Sequence, residues 1–183
     1  MAKITVTGTA QWAKVFEDNR DLDGYQGAYH DTNGRCTIEL ALDEDNMQRL
    51  SESGCMSKGK VDPEGRGTLV KLTRKFETAY DWDGGAPKVY KADGAPWSFE
   101  SDGAIGNGSE VLVELDVYKN VKYGTTTTRL ERVKVLKAVG YDPQGGGSGP
   151  DPFTANVVDG QPAPVPTGPP PQKIEEMVDE IPF

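Results

Sequence analysis

SEVLVELDVYKN, residues 109–120, places Val111, Val113, Leu115 and Val117 at every second position. That period of two, in apolar residues, predicts a strand with one buried face. The same period recurs on either side of it. RCTIELAL (35–42) puts Cys36, Ile38, Leu40 and Leu42 inward and Arg35, Thr37 and Glu39 outward. GTLVKLTRKFE (67–77) sets Val70, Leu72, Arg74 and Phe76 on one face and Lys71, Thr73 and Lys75 on the other. KITVTGT (3–9) alternates Ile4 and Val6 with polar residues, and QWAKVFE (11–17) sets Trp12, Lys14 and Phe16 opposite Ala13 and Val15. Gly8, between these runs, marks a bulge or a bend. In TTRLERVKVLKAV (127–139) Leu130 is out of step with Val133 and Val135, and a bulge reconciles them.

DEDNMQRLSES (43–53) interrupts the strands with a short helix, Asp43 as its N-cap and Gly54 ending it. Residues 79–107 are rich in loops, and Lys88–Lys91 are placed to form a hairpin with a neighbour. The reading is mainly β: five long strands, one short helix between the second and third, and long loop insertions. That suits a small closed barrel better than a two-layer α/β sheet.

The chain has 183 residues and a net charge of −9. Six acids and one base fall in 143–183, a net −5, which leaves −4 for residues 1–142. Ten of the 13 prolines follow residue 142. Residues 1–142 are therefore expected to fold as one domain and 143–173 to form a disordered Gly/Pro-rich linker. Residues 174–183, IEEMVDEIPF, are expected to form an acidic tip with apolar residues spaced through it. A flexible stretch of about 32 residues spans roughly 30 Å, against a radius of about 14–15 Å for the domain, so the tip can reach the domain surface.

The two cysteines, Cys36 and Cys55, have no metal-site spacing and read as reduced thiols. The single histidine, His30, reads as a loop residue. No apolar run approaches the roughly 20 residues that span a bilayer, and MAKITVTGTAQ lacks a signal-peptide core. A cytoplasmic protein without a membrane partner or cofactor is expected.

A binder of single strands needs cations for phosphates and flat rings for bases. Trp12, Lys14 and Phe16 share a predicted strand face with one another; Arg35 faces outward; Lys71 and Lys75 share a face, with Arg74 beside them. KVYK encloses Tyr90 between Lys88 and Lys91, and Trp82 stands in the loop before them. Tyr118, Lys119, Lys122 and Tyr123 surround a hairpin turn, and Arg129, Arg132, Lys134 and Lys137 follow. Aromatic residues on strands are usually core and charged ones usually face water. The repeated interleaving in an acidic chain is what points to DNA. The Asp clusters in DNRDLDG and LDEDN offer a rival reading as metal-dependent chemistry, but they lack the ligand spacing of a calcium loop and read better as solvated loops. GAIGNGSE precedes a strand rather than a helix, so it reads as a tight turn and not a phosphate cradle.

The final VDEIPF resembles the acidic tip of bacterial single-stranded-DNA-binding proteins, which end in acids followed by Ile-Pro-Phe. AIGNGSEVLVELDVY followed by TRLERVKVLKAVGYDP resembles the phage-encoded members of that group, and the order of domain, linker and tip matches. The resemblance implies a five-stranded OB-fold barrel without catalytic activity. It would bind single-stranded DNA irrespective of sequence in phage replication, recombination or repair, inside the infected bacterial cell, as a monomer or homodimer. It further implies that Glu175, Glu176, Asp179, Glu180, Ile181, Pro182 and Phe183 recruit a polymerase, helicase, primase or nuclease. The tip's acids would also compete with DNA for the basic groove. A β-rich adaptor that binds no DNA, with a partner-binding tail, is the other alternative the residues leave open.

Overall fold

The computed structural model describes residues 2–55 and 59–140; the linker and acidic tip expected from the sequence lie outside the described residues. The elements are β1 (Ala2–Lys14), β2 (Arg35–Leu42), α1 (Glu44–Glu52), β3 (Lys60–Val61), β4 (Thr68–Lys75), β5 (Lys88–Tyr90), α2 (Phe99–Asp102), β6 (Glu110–Asn120) and β7 (Thr125–Lys137). They form one seven-stranded sheet in the order β3-β4-β2-β1-β6-β7-β5. The five long strands are those read from the period of two. β3 and β5 are short additions at the edges, too brief to leave an alternation in the sequence. Lys88–Tyr90 runs parallel to β7 on one side and turns back on residues 95–97 on the other: Tyr90 bridges Pro96 antiparallel, the Lys91 N–H reaches the Ala95 carbonyl at 2.8 Å and the Trp97 N–H the Val89 carbonyl at 2.9 Å, the hairpin with a neighbour expected there.

β1 holds the barrel together by serving two partners. Residues 2–9 pair with β6 and residues 9–14 with β2. Gly8 sits where the strand crosses from one to the other, in regular register with Val111. It is not the bulge. A Cβ there would lie 2.6 Å from the Ala41 carbonyl oxygen, so Gly8 permits a close strand approach. The bulge lies at Trp12, with φ 48°, where the β1–β2 register slips between Gln11 and Lys14. The predicted β7 bulge is present: Leu115 faces Leu130 while Glu114 faces Arg132, which leaves Glu131 as the extra residue.

Val6, Ile38, Leu40, Val70, Leu72, Val111, Val113, Leu115, Leu130 and Val133 are all buried in one core. Leu50 of α1 closes one side of it. The Asp43 carboxylate accepts the Asn46 N–H at 2.8 Å, and that bond holds its carboxyl below the usual range. Gly54, at φ 84°, ends the helix. β4 and β7 form no ladder with each other, so the sheet is unclosed. Arg74 spans the seam instead, donating to the carbonyls of Leu130 (3.2 Å), Gly84 (2.8 Å) and Gly85 (2.9 Å). Cys36 and Cys55 are not joined in a disulfide, and burial pushes the Cys36 thiol up to about 11.

Candidate nucleic-acid interface

Cross-strand partners point to the same side of a sheet. The β2–β4 register pairs Arg35 with Lys75, Thr37 with Thr73 and Glu39 with Lys71, and Lys14 of β1 lies opposite Thr37. This outward face therefore carries four cations and one acid, Glu39. Lys71 and Lys75 are exposed and make no ion pair among the described residues. Lys14 stands 3.8 Å from Asp21.

The β1–β2 loop brings a ring to this face. The Arg35 guanidinium lies 4.6 Å from the centre of the Tyr29 ring, and the Lys71 ammonium 6.0 Å from it. Tyr29 is absent from the residues singled out in the sequence, since nothing in GYQGAYHD shows that the loop folds back on β2. At the other end of the loop the bulge turns Trp12 outward, 67% exposed, with its backbone N–H bound to Asn107 Oδ1 at 2.8 Å.

A second group lies on the β6–β7 hairpin. Tyr118, Lys119, Lys122 and Tyr123 are exposed around its turn, where Asn120 Oδ1 accepts the Lys122 N–H at 3.1 Å and the Lys122 ammonium lies 5.3 Å from the Tyr123 ring centre. The loop after β4 adds Tyr80 and Trp82, exposed and stacked with ring centres 5.7 Å apart. Tyr80 is the other aromatic residue the sequence reading missed; its spacing of two from Trp82 was the available signal. An open cleft of about 500 Å³ joins these parts, lined by Asp31 and Thr32 of the β1–β2 loop, Lys75, Glu77, Tyr80 and Asp83 of β4 and its loop, and Tyr118 of the hairpin.

Three predicted contacts are structural instead. Phe16 does not share an exposed face with Trp12 and Lys14. β1 ends at Lys14, Asn19 Oδ1 accepts the Phe16 N–H at 3.0 Å, and the ring is buried 5.2 Å from that of Phe99. Arg74 is buried against Glu131 at 2.7 Å. Arg129 is buried between Asp83 and Asp116, the latter at 2.6 Å, with its guanidinium 5.3 Å from the Trp82 ring centre. Burial, with Arg74 nearby, pulls the Arg129 guanidinium below its ordinary value. Lys91 is half-buried and paired with Asp102 at 2.7 Å. Lys88 and half-buried Tyr90 lie on β5, beside Arg132 and Lys134 of β7.

The acid-rich loop is held by its own contacts. Asp21 accepts the Gly24 N–H at 3.2 Å, and His30 pairs with Asp23 at 3.1 Å rather than with adjacent Asp31. Among the described residues no group of three or more His, Cys, Asp or Glu is placed to hold a metal, and no helix is long and apolar enough to cross a membrane.

Five long strands wound on a shared, bent β1, with an outward β2–β4 face walled by the β1–β2 loop and the β6–β7 hairpin, define an OB fold, whose oligonucleotide-binding members use this face and these two loops. Solved structures similar to the chain include phage single-stranded-DNA-binding proteins. One is gp2.5, a single-stranded-DNA-binding protein encoded by bacteriophage T7, with a TM-score of 0.52, 16% identity and coverage of 76% of this chain and 94% of that one. Another is the single-stranded-DNA-binding protein from bacteriophage Enc34 in complex with single-stranded DNA, with a TM-score of 0.52, 13% identity and coverage of 76% and 88%. No protein-family model matches the chain, and no curated protein matches it by sequence. The likeness is one of fold.

Proposed function

We propose that the chain binds single-stranded DNA irrespective of sequence, in phage replication, recombination or repair, within the cytoplasm of the infected cell. The observation that carries this reading is the sorting of its cations. Arg74 and Arg129 are buried and consumed by half-buried Glu131 and buried Asp116, whereas Lys71, Lys75, Lys119 and Lys122 are exposed and free of ion pairs among the described residues. Those free lysines stand among the exposed rings of Trp12, Tyr80, Trp82, Tyr118 and Tyr123. Lysines would hold the backbone while rings stack on bases, each stack contributing roughly 1–3 kcal/mol. The fold shared with phage single-stranded-DNA-binding proteins supports the same reading.

The acidic tip fits a second role. Ile181, Pro182 and Phe183 would insert into a replication or recombination protein, and the neighbouring acids would steer the tip toward a basic rim. The same acids mimic phosphates, so the tip competes with DNA for the lysine face.

The test is a fluorescence titration with an oligonucleotide of about 30 nucleotides, longer than the roughly 4–16 that one OB fold occupies. Quenching of the exposed Trp12 and Trp82, lost in part in Trp12→Ala or Trp82→Ala, is the expected result. Unchanged fluorescence together with no mobility shift of the labelled strand would leave the adaptor reading in its place.

A further inference from the structure

The cleft between the β1–β2 loop and the β6–β7 hairpin differs in charge from the lysine face beside it. Of its acids, Asp83 is committed to Arg129. Glu77 accepts one bond, from Asn33 Nδ2 at 3.0 Å, which leaves its second oxygen open. Asp31 is exposed and makes no ion pair or side-chain hydrogen bond among the described residues. Two rings from separate segments, Tyr80 and Tyr118, line the same space, with Lys75 alongside. A volume of about 500 Å³ lies within the usual range of small-ligand sites, roughly 300–1,000 Å³.

We propose that this cleft is a subsite for one nucleobase and that it favours bases carrying an exocyclic amino group. The inference rests on the single-strand reading and adds a preference to it. Two carboxylates repel a phosphate, so the part of a nucleotide that enters is the base, its ring against Tyr80 or Tyr118 and its phosphate left to Lys75. Carboxylates only accept hydrogen bonds. Cytosine and adenine offer amino donors, and guanine offers N1–H and an amino group together. Thymine turns two carbonyl oxygens toward the acids and has only N3–H to give. The rest of the surface stacks any base; Asp31 and Glu77 discriminate at this one position.

The experiment compares equilibrium binding of deoxycytidylate and thymidylate homopolymers of equal length by the full chain and by an Asp31→Asn/Glu77→Gln variant. The amide introduced by Glu77→Gln would retain a carbonyl for Asn33, and thermal unfolding checks that the variant is folded. The amides carry donors as well as acceptors, so the ratio of deoxycytidylate to thymidylate affinity is expected to fall by about fivefold or more, the low end of what one good base contact supplies. Lys122→Ala, outside the cleft, is expected to weaken both homopolymers alike. Tight binding of both homopolymers with an unchanged ratio in the double variant overturns the subsite and leaves the single-strand reading standing. Failure of the wild-type chain to bind either homopolymer overturns both.

Discussion

Arg74 and Lys75 are neighbours with opposite roles. Arg74 shares the phase of Val70 and Leu72, so it is buried and closes the β4–β7 seam; Lys75, one step on, faces water opposite Arg35. Phase was legible in the sequence. The partner that makes burial of Arg74 tolerable was not, because Glu131 lies 57 residues away. Arg129 was unreadable for the same reason, and Phe16 because an Asn19 turn, not alternation, sets its direction. The pairs predict separable effects. Arg129→Met leaves buried Asp116 with only half-exposed Lys3, 3.3 Å away, and is expected to cost about 3 kcal/mol in urea denaturation. Lys75→Ala leaves stability unchanged and weakens single-strand binding, reducing the slope of log affinity against log salt by about 0.7. A Lys75→Ala chain with an unaltered slope would remove Lys75 from the phosphate contacts.

At the scale of elements, the five long strands were legible because their buried residues, mostly apolar, alternate with outward ones, and the β7 bulge because Leu130 broke that alternation. Gly8 was ambiguous, since glycine marks both bulges and close approaches; what decides is that a Cβ there would lie only 2.6 Å from the Ala41 carbonyl oxygen. Gly8→Ala should therefore destabilise the β1–β2–β6 junction by about 1–3 kcal/mol, as overpacking does. Equal stability of this variant and the wild type would show that β1 can shift. The α1 cap has a pH signature. The Asp43 carboxyl is lowered from 3.8 in the folded chain, first by the Asn46 N–H. Its contribution is thus present above 3.8 and lost as pH falls through the lower folded value. Thermal unfolding of Asp43→Ala should fall below wild type at neutral pH, and the gap should close on acidification. A gap constant with pH would assign the effect to helix propensity instead of the capping bond.

At the scale of the whole molecule, the proposed function has the lysine face and the loop aromatics hold one ligand while the acidic tip competes with it. The tip was the most specific signal in the sequence, whereas the cleft was invisible there because Asp31, Lys75, Tyr80 and Tyr118 meet only when the barrel folds. Removing residues 174–183 is expected to tighten single-strand binding, most at low salt where the acids compete best with phosphates. Affinity independent of the deletion at every salt concentration would end the competition idea and leave partner recruitment untouched. The central claim is tested most directly by the salt dependence of affinity for one single-stranded oligonucleotide. Four uncommitted lysines predict a slope of log affinity against log salt near −3, at about −0.7 per phosphate contacted. Absence of binding at low salt, or affinity that does not change with salt, would contradict it.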